Sequence, residues 1–155
     1  MRRSTNASYI LARMFRPFCS VQLIALRDGL VLLSMRANTG FEDGNYGLVS
    51  GHIEGDEATR AAMVREAREE AGIEIDPAHL RLVHTMHRRS PDREYIDLFF
   101  EASSWLGEPD NREPGKCDEL AWFQPDDLPA NTIEYVREAI VRSRAGASFS
   151  EFGFA

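Results

Sequence analysis

Cysteine is scarce: Cys19 and Cys117 are the only two in 155 residues, at a spacing that suits neither a disulfide framework nor a zinc site. They read as reduced, structural thiols. No apolar run approaches the roughly 20 residues that a membrane-crossing helix needs, so the chain is expected to be soluble and cytoplasmic. Acidic residues are missing from the first 27 positions, which instead carry Arg2, Arg3, Arg13, Arg16 and Arg27. That bias faintly resembles an organelle transit peptide. Phe18 to Leu26 is better used as a core strand, however, and residues 1–16 are read as a flexible basic arm. Internal repeats and an interdomain linker are lacking as well.

What is present is ordinary globular material. With 43% hydrophobic and 28% charged residues, the chain can build one packed domain over 17–145, followed by a tail at 146–155. A second domain would not fit. The formal net charge of -7 argues against nonspecific binding to a nucleic acid polymer or an anionic membrane. A phosphate-bearing ligand would need local cations.

Phe18–Arg27 and Leu30–Arg36 are β-rich runs joined by Asp28-Gly29, a strong hairpin signal. A polar loop spans Ala37 to Asn45, and Tyr46 to Ser50 forms a short strand. Helical periodicity starts near Asp56 or Glu57 and places Ala61, Val64, Ala67 and Ala71 on an apolar stripe away from the glutamates. Gly72 is a suitable C′ residue. Leu80–His87, Tyr95–Ala102 and Glu119–Gln124 read as strands. Asn131–Arg144 reads as a second helix, with Ile133, Val136, Ile140 and Val141 inward and Thr132 or Asn131 as cap. The tail ASFSEFGFA is read as a frayed end. The fold class is α+β.

The helix between Glu57 and Gly72 poses a problem of charge. Glu66, Glu69 and Glu70 stand at i, i+3 and i+4, so their carboxylates share one side and repel. A solvated face with surface pairs to Arg65 and Arg68 would be the ordinary explanation. A hard divalent cation offers another, because Mg²⁺ commonly takes a few carboxylates together with water and phosphate oxygens. An EF-hand would place its ligands in a loop, and zinc would favour His or Cys. Mg²⁺ or Mn²⁺ suits the pattern best.

The spacing around these glutamates is specific. Gly51, Glu57, Arg65-Glu66, Glu69-Glu70 and Gly72-Ile73 fill every Gly, Glu and Arg position of Gly-x5-Glu-x7-Arg-Glu-U-x-Glu-Glu-x-Gly-U. The chain resembles the Nudix hydrolase family over roughly Phe18 to Arg144. The resemblance implies an α/β/α sandwich, a mixed sheet flanked by helices. It also implies metal ligation by Glu66, Glu69 and Glu70, catalytic roles for Glu66, Arg65 and Glu69, and a supporting role for Glu57. The reaction implied is metal-dependent hydrolysis of a nucleoside diphosphate linked to another group.

The sequence also departs from the family. Leu48-Val49-Ser50-Gly51 replaces the usual Leu-Pro-Gly-Gly, so Ser50 stands where a glycine carbonyl often joins the metal shell, and its Cβ would resist a positive φ. Ala67 is smaller than the usual aliphatic residue. Arg36, Tyr46, Asp118 and Glu119 are candidate substrate-binding residues. The loop and strand from Gly107 to Phe123 are loosely similar to those of members acting on nucleoside triphosphates, which favours that small-molecule substrate over ADP-ribose or a dinucleotide. His52, His84 and His87 are too far apart in the inferred fold to be expected as a metal cluster. A noncatalytic nucleotide sensor is the alternative, against which the intact glutamates argue. Oligomeric state is open; the apolar tail and family habit would allow a homodimer.

Overall fold

A computed structural model describes residues 14–155, so all but the end of the basic arm lies outside the described residues. Eight strands, β1 (Phe18–Arg27), β2 (Leu30–Arg36), β3 (Tyr46–Gly47), β4 (Val49–His52), β5 (Arg81–Arg89), β6 (Glu94–Ala102), β7 (Cys117–Phe123) and β8 (Phe149–Phe152), form a mixed sheet. Helices α1 (Thr59–Ala71) and α2 (Glu134–Arg144) cover its faces.

The β1–β2 hairpin turns at Asp28 and Gly29, with φ 53° and 78°. Two successive left-handed residues twist the chain in the sense that antiparallel strands need. One side of β1 runs parallel to β6 from Phe18↔Tyr95 to Ala25↔Ala102. Along its other side, β4 takes Ser20 to Leu23 and β2 takes Leu26 and Arg27. The sheet therefore forks where β2 and β4 part, and a cleft opens in the fork.

Strand alternation divides the core between the sheet's two faces. Val21, Leu23 and Phe100 meet Ala62, Met63, Ala67 and Ala71 of α1, while Ile24, Leu33 and Phe99 meet Val136, Ala139 and Ile140 of α2. Three of the α1 contacts are alanines, so the helix lies close to the sheet. Met63 alone, fully enclosed, contributes about 1.5–3 kcal/mol by burial.

Several boundaries differ from the sequence reading. Helix α1 starts at Thr59, since Asp56 adopts φ 59° and Glu57 turns its carboxylate to Arg65 instead of capping the first turn. Its buried stripe is rotated to Ala62, Met63, Glu66, Ala67 and Ala71, which brings Glu66 onto the packed side. Gly72 closes the helix in the left-handed conformation at φ 67°. In α2, Ala139 is buried and Val141 is 55% exposed. Neither expected cap acts as one: Thr132 Oγ1 donates to the Pro129 carbonyl and Asn131 Nδ2 to that of Gly44.

The tail is not frayed. Phe149–Phe152 pairs in parallel with Thr85 to Arg88 of β5. His84, 1% exposed, explains why the tail docks. Its Nδ1 lies 2.7 Å from the Ala147 carbonyl and its Nε2 2.8 Å from Ser150 Oγ, so both ring nitrogens are satisfied only when the strand is in place.

Candidate active site

The cleft in the sheet fork encloses about 680 Å³. Ser34 and Arg36 from β2, Ser50 and Gly51 from β4, and Glu66, Glu69 and Glu70 from α1 line it together. Gly51 is there for space, because a Cβ on it would overlap the Glu66 carboxyl group. Its absence lets that carboxyl lie against the β4 backbone.

Arg65 organises the acidic group. Its Nε donates to Glu57 Oε1 at 2.7 Å and its Nη2 to Glu57 Oε2 at 3.0 Å, a bidentate pair. The same Nη2 donates to the His52 carbonyl at 3.1 Å, fastening α1 to the end of β4. Nη1 reaches Glu66 Oε1 at 2.6 Å and Glu69 Oε2 at 3.4 Å. Surrounded by carboxylates, the guanidinium is held above its ordinary pKa, chiefly by the hydrogen bonds to Glu57. Glu57, bonded also by the Glu54 amide, is held below the usual carboxylate range.

Two glutamates shift the other way. Burial raises Glu66, against the pull of Arg65. Glu70 turns its carboxyl inward, where Ser50 N–H donates to Oε2 at 3.1 Å, and burial pushes it up to about 8. Ser50 sits in regular strand pairing opposite Gln22. Among the described residues the left-handed non-glycine positions are Asp28, Asn38, Glu42 and Asp56, so a serine at position 50 strains nothing.

The fold adds a carboxylate that the sequence reading missed. The loop before β7 is tied to the end of α1, with Asp110 N–H donating to the Ala71 carbonyl at 2.9 Å and Arg112 N–H to that of Glu70 at 3.1 Å. These are carbonyls a helix terminus leaves without an internal partner. The fastening carries Glu113 to the cleft, close enough to add to the negative field on Glu66 and Glu70. Nothing in the local pattern marks a lone acid in a Pro- and Gly-containing loop.

Of the proposed substrate-binding residues, Arg36 lines the cleft, its Nε donating to the Phe41 carbonyl at 2.8 Å. The other three do not line it. Tyr46 and Glu119 flank Met35 in one register row and hydrogen-bond across it, with Tyr46 packed in the α2-side core against Phe123. Asp118 is exposed at an irregularity in the β2–β7 pairing, and its neighbour Cys117 lines the cleft instead. The structure brings Glu113, Lys116 and Cys117 to the cavity in place of Asp118 and Glu119. The histidines lie apart: His52 stacks on Tyr95, His84 holds the tail, and His87 bonds Glu94.

Residues 18–143 match the NUDIX domain. The chain belongs to the Nudix hydrolase family. It is 30% identical over 112 residues to the 8-oxo-dGTP diphosphatase of Escherichia coli K12, covering 71% of this chain and 85% of that protein. It is 28% identical over 147 residues to the NAD-capped RNA hydrolase NudC of Stutzerimonas stutzeri, covering 86% of this chain but 51% of that protein. The crystal structure of a MutT Nudix hydrolase from Burkholderia pseudomallei superposes with TM-score 0.76 at 28% identity, covering 81% of this chain and 97% of that one. The protein is thus a Nudix pyrophosphohydrolase acting on nucleoside diphosphate derivatives.

Nudix hydrolases generally use divalent metal ions, and the donors here fit one. Glu66, Glu69 and Glu70 offer hard oxygens to the cleft, and Arg65 Nη1 stands between Glu66 and Glu69 as a positive charge. Among the described residues, no three His, Cys, Asp or Glu side chains converge closely enough to form a finished cage. A second cation beside Glu70 would oppose the burial that raises its carboxyl. The described residues also contain no helix long and apolar enough to cross a membrane.

Proposed function

We propose that this Nudix hydrolase cleaves a nucleoside triphosphate to the monophosphate and pyrophosphate, with Mg²⁺ or Mn²⁺ held by Glu66, Glu69, Glu70 and the Ser50 carbonyl. The observation that carries the reading is the lining of the cleft. The three glutamates share it with the cationic side chains of Arg36 and Lys116 and with the polar side chains of Ser20 and Gln22. Diphosphate and base can then occupy one continuous groove. Two relatives support this substrate class: the 8-oxo-dGTP diphosphatase already described, and a CTP pyrophosphohydrolase of Escherichia coli K12 that is 44% identical over 54 residues, 35% of this chain and 40% of that protein.

The bound ion would counter the charge of the diphosphate and favour deprotonation of the attacking water. Glu66 is the proton acceptor in this reading, with Arg65 fixing its carboxyl and Glu57 fixing Arg65. Arg36 and Lys116 meet phosphate oxygens, and Glu113 is a further carboxylate in the same cleft. A water oxygen forms a bond to one phosphorus as the bridging P–O bond breaks; pyrophosphate departs and the proton passes to Glu66. The test is product release from nucleoside triphosphates, ADP-ribose, nucleotide sugars and dinucleoside polyphosphates, with Mg²⁺ or Mn²⁺ and with chelator. Chelator-sensitive pyrophosphate release from triphosphates is expected. Turnover confined to another class would replace the substrate, and tight binding without turnover of any would make the protein a sensor.

A further inference from the structure

Ser20, Gln22 and Arg88 also line the cleft, with Asp97 bonded behind them, and the hydrolytic chemistry uses none of the four. Asp97 is 0% exposed, Gln22 3%, Ser20 4% and Arg88 6%. Elsewhere this face of the sheet carries Ile24, Met86 and Phe99. Enclosing an Arg–Asp pair and an amide where apolar residues would pack costs stability unless each group is satisfied.

Among the fully enclosed side-chain polar atoms of the described residues, all but one have a partner. Arg88 Nε donates to Asp97 Oδ2 at 2.6 Å and Nη2 to Oδ1 at 3.2 Å, and its guanidinium lies between the rings of Tyr95 and Tyr135, 4.0 and 4.1 Å from their centroids. Ser20 Oγ–H donates to Asp97 Oδ1 at 2.6 Å, and Gln22 Nε2 donates to Ser20 Oγ at 3.1 Å. The exception is Gln22 Oε1, which has no hydrogen-bond partner.

This chain of bonds settles which way the amide points. Asp97, paired with Arg88, can only accept, so the single Ser20 hydroxyl proton goes to it. Ser20 Oγ must then receive a proton from Gln22, and receives it from Nε2. Rotating the amide would bring its oxygen against the lone pairs of Ser20. Gln22 therefore lines the cleft opposite Ser50 of β4, with its unpartnered carbonyl oxygen enclosed and held in an orientation set by a buried carboxylate.

We propose that Gln22 is a specificity-determining residue: its Oε1 accepts a hydrogen bond from the exocyclic amine of the substrate's nucleobase. The substrate class is then a nucleotide with an amino-bearing base, discriminated from its oxo or unsubstituted counterpart. A lone ring N–H such as that of uracil is a poorer match, because carbonyl lone pairs flank it on both sides and oppose the amide oxygen. A buried acceptor left unpaired is what makes such a site reject the wrong ligand. This inference rests on the nucleotide reading above, but not on the hydrolytic step.

The experiment compares matched pairs that differ by one amine: CTP with UTP, ATP with ITP, and GTP with ITP, scored as kcat/KM ratios. Binding of CMP, UMP, AMP, GMP and IMP, which have no anhydride to cleave, is measured by calorimetry. The wild-type protein is expected to prefer the amino member of at least one pair by tenfold or more. Gln22→Leu, of similar volume, should bring that ratio near unity through loss of the amino substrate while the protein stays folded. Gln22→Met serves as a second variant if leucine disturbs the fold. Equal treatment of all pairs by the wild-type protein overturns the proposal, as does a preference that survives in both variants. Discrimination among monophosphates without hydrolysis of any triphosphate upholds the role of Gln22 and removes the proposed reaction.

Discussion

Gly51→Ala tests the link between the β4 backbone and the acidic helix. A Cβ at residue 51 would stand 2.6 Å from Glu66 Oε2 and closer still to the other carboxyl atoms, against a preferred separation of about 3.5–4 Å between packed carbons. The carboxyl must retreat by about 1 Å or more, breaking its 2.6 Å bond to Arg65 Nη1. A displacement of that size in a reacting group costs about 100-fold in rate. Overpacking should take about 1–3 kcal/mol from stability.

The assay is a double-mutant cycle with Glu66→Ala, read by thermal unfolding and turnover. With the carboxyl removed, the three atoms nearest the new methyl are gone. Alanine should then be neutral or slightly favourable in stability, because it replaces a glycine within a strand. The coupling between the two sites is expected to reach about 1–2 kcal/mol. Gly55→Ala, where a Cβ meets nothing within 4 Å, serves as the control. A folded Gly51→Ala protein with wild-type turnover, or strictly additive stability effects, would refute the packing argument and the placement of Glu66 with it.

Glu69→Gln and Glu70→Gln should each lower turnover by about 100-fold or more while the domain stays folded; near-full activity in both would remove these residues from the ion site. Metal-free protein should respond to pH through Glu70. Its folded pKa of about 8 lies above the ordinary value of 4.5, so its contribution is fully present below 4.5 and is lost as pH rises towards 8. The slope is at most about 1.4 kcal/mol per pH unit. Chemical denaturation with chelator at several pH values checks this, and Glu70→Gln should flatten the dependence. Removing residues 147–155 strips His84 of both ring partners and should cost at least about 1–3 kcal/mol; an unchanged denaturation midpoint would return the tail to a dispensable end.

The carboxylate helix could be read without a structure because its determinants are local. Glu66, Glu69 and Glu70 share a side of α1 by helical period alone, and Gly72 ends that helix by a conformation glycine adopts freely. The Asp28-Gly29 hairpin is local in the same sense. The tail could not be read this way, since its four-residue strand is held by the edge of β5 and by His84, and neither lies near it in sequence. The contact between Tyr46 and Glu119 was hidden for a related reason: they meet 73 residues apart, through a register between β2, β3 and β7 that no periodicity announces.

The sequence by itself determined the family and the acidic helix, because fixed spacing along one helix dictates which side chains share a face. Tertiary structure alone decided what surrounds that helix. It turned α1 so that Glu66 is buried against Gly51, fastened the loop that delivers Glu113, and joined Ser20 to Asp97 across 77 residues to orient Gln22. The physical reason is that a hydrogen bond between strands depends on which edges meet and in what register, and those are set by burial over the whole sheet.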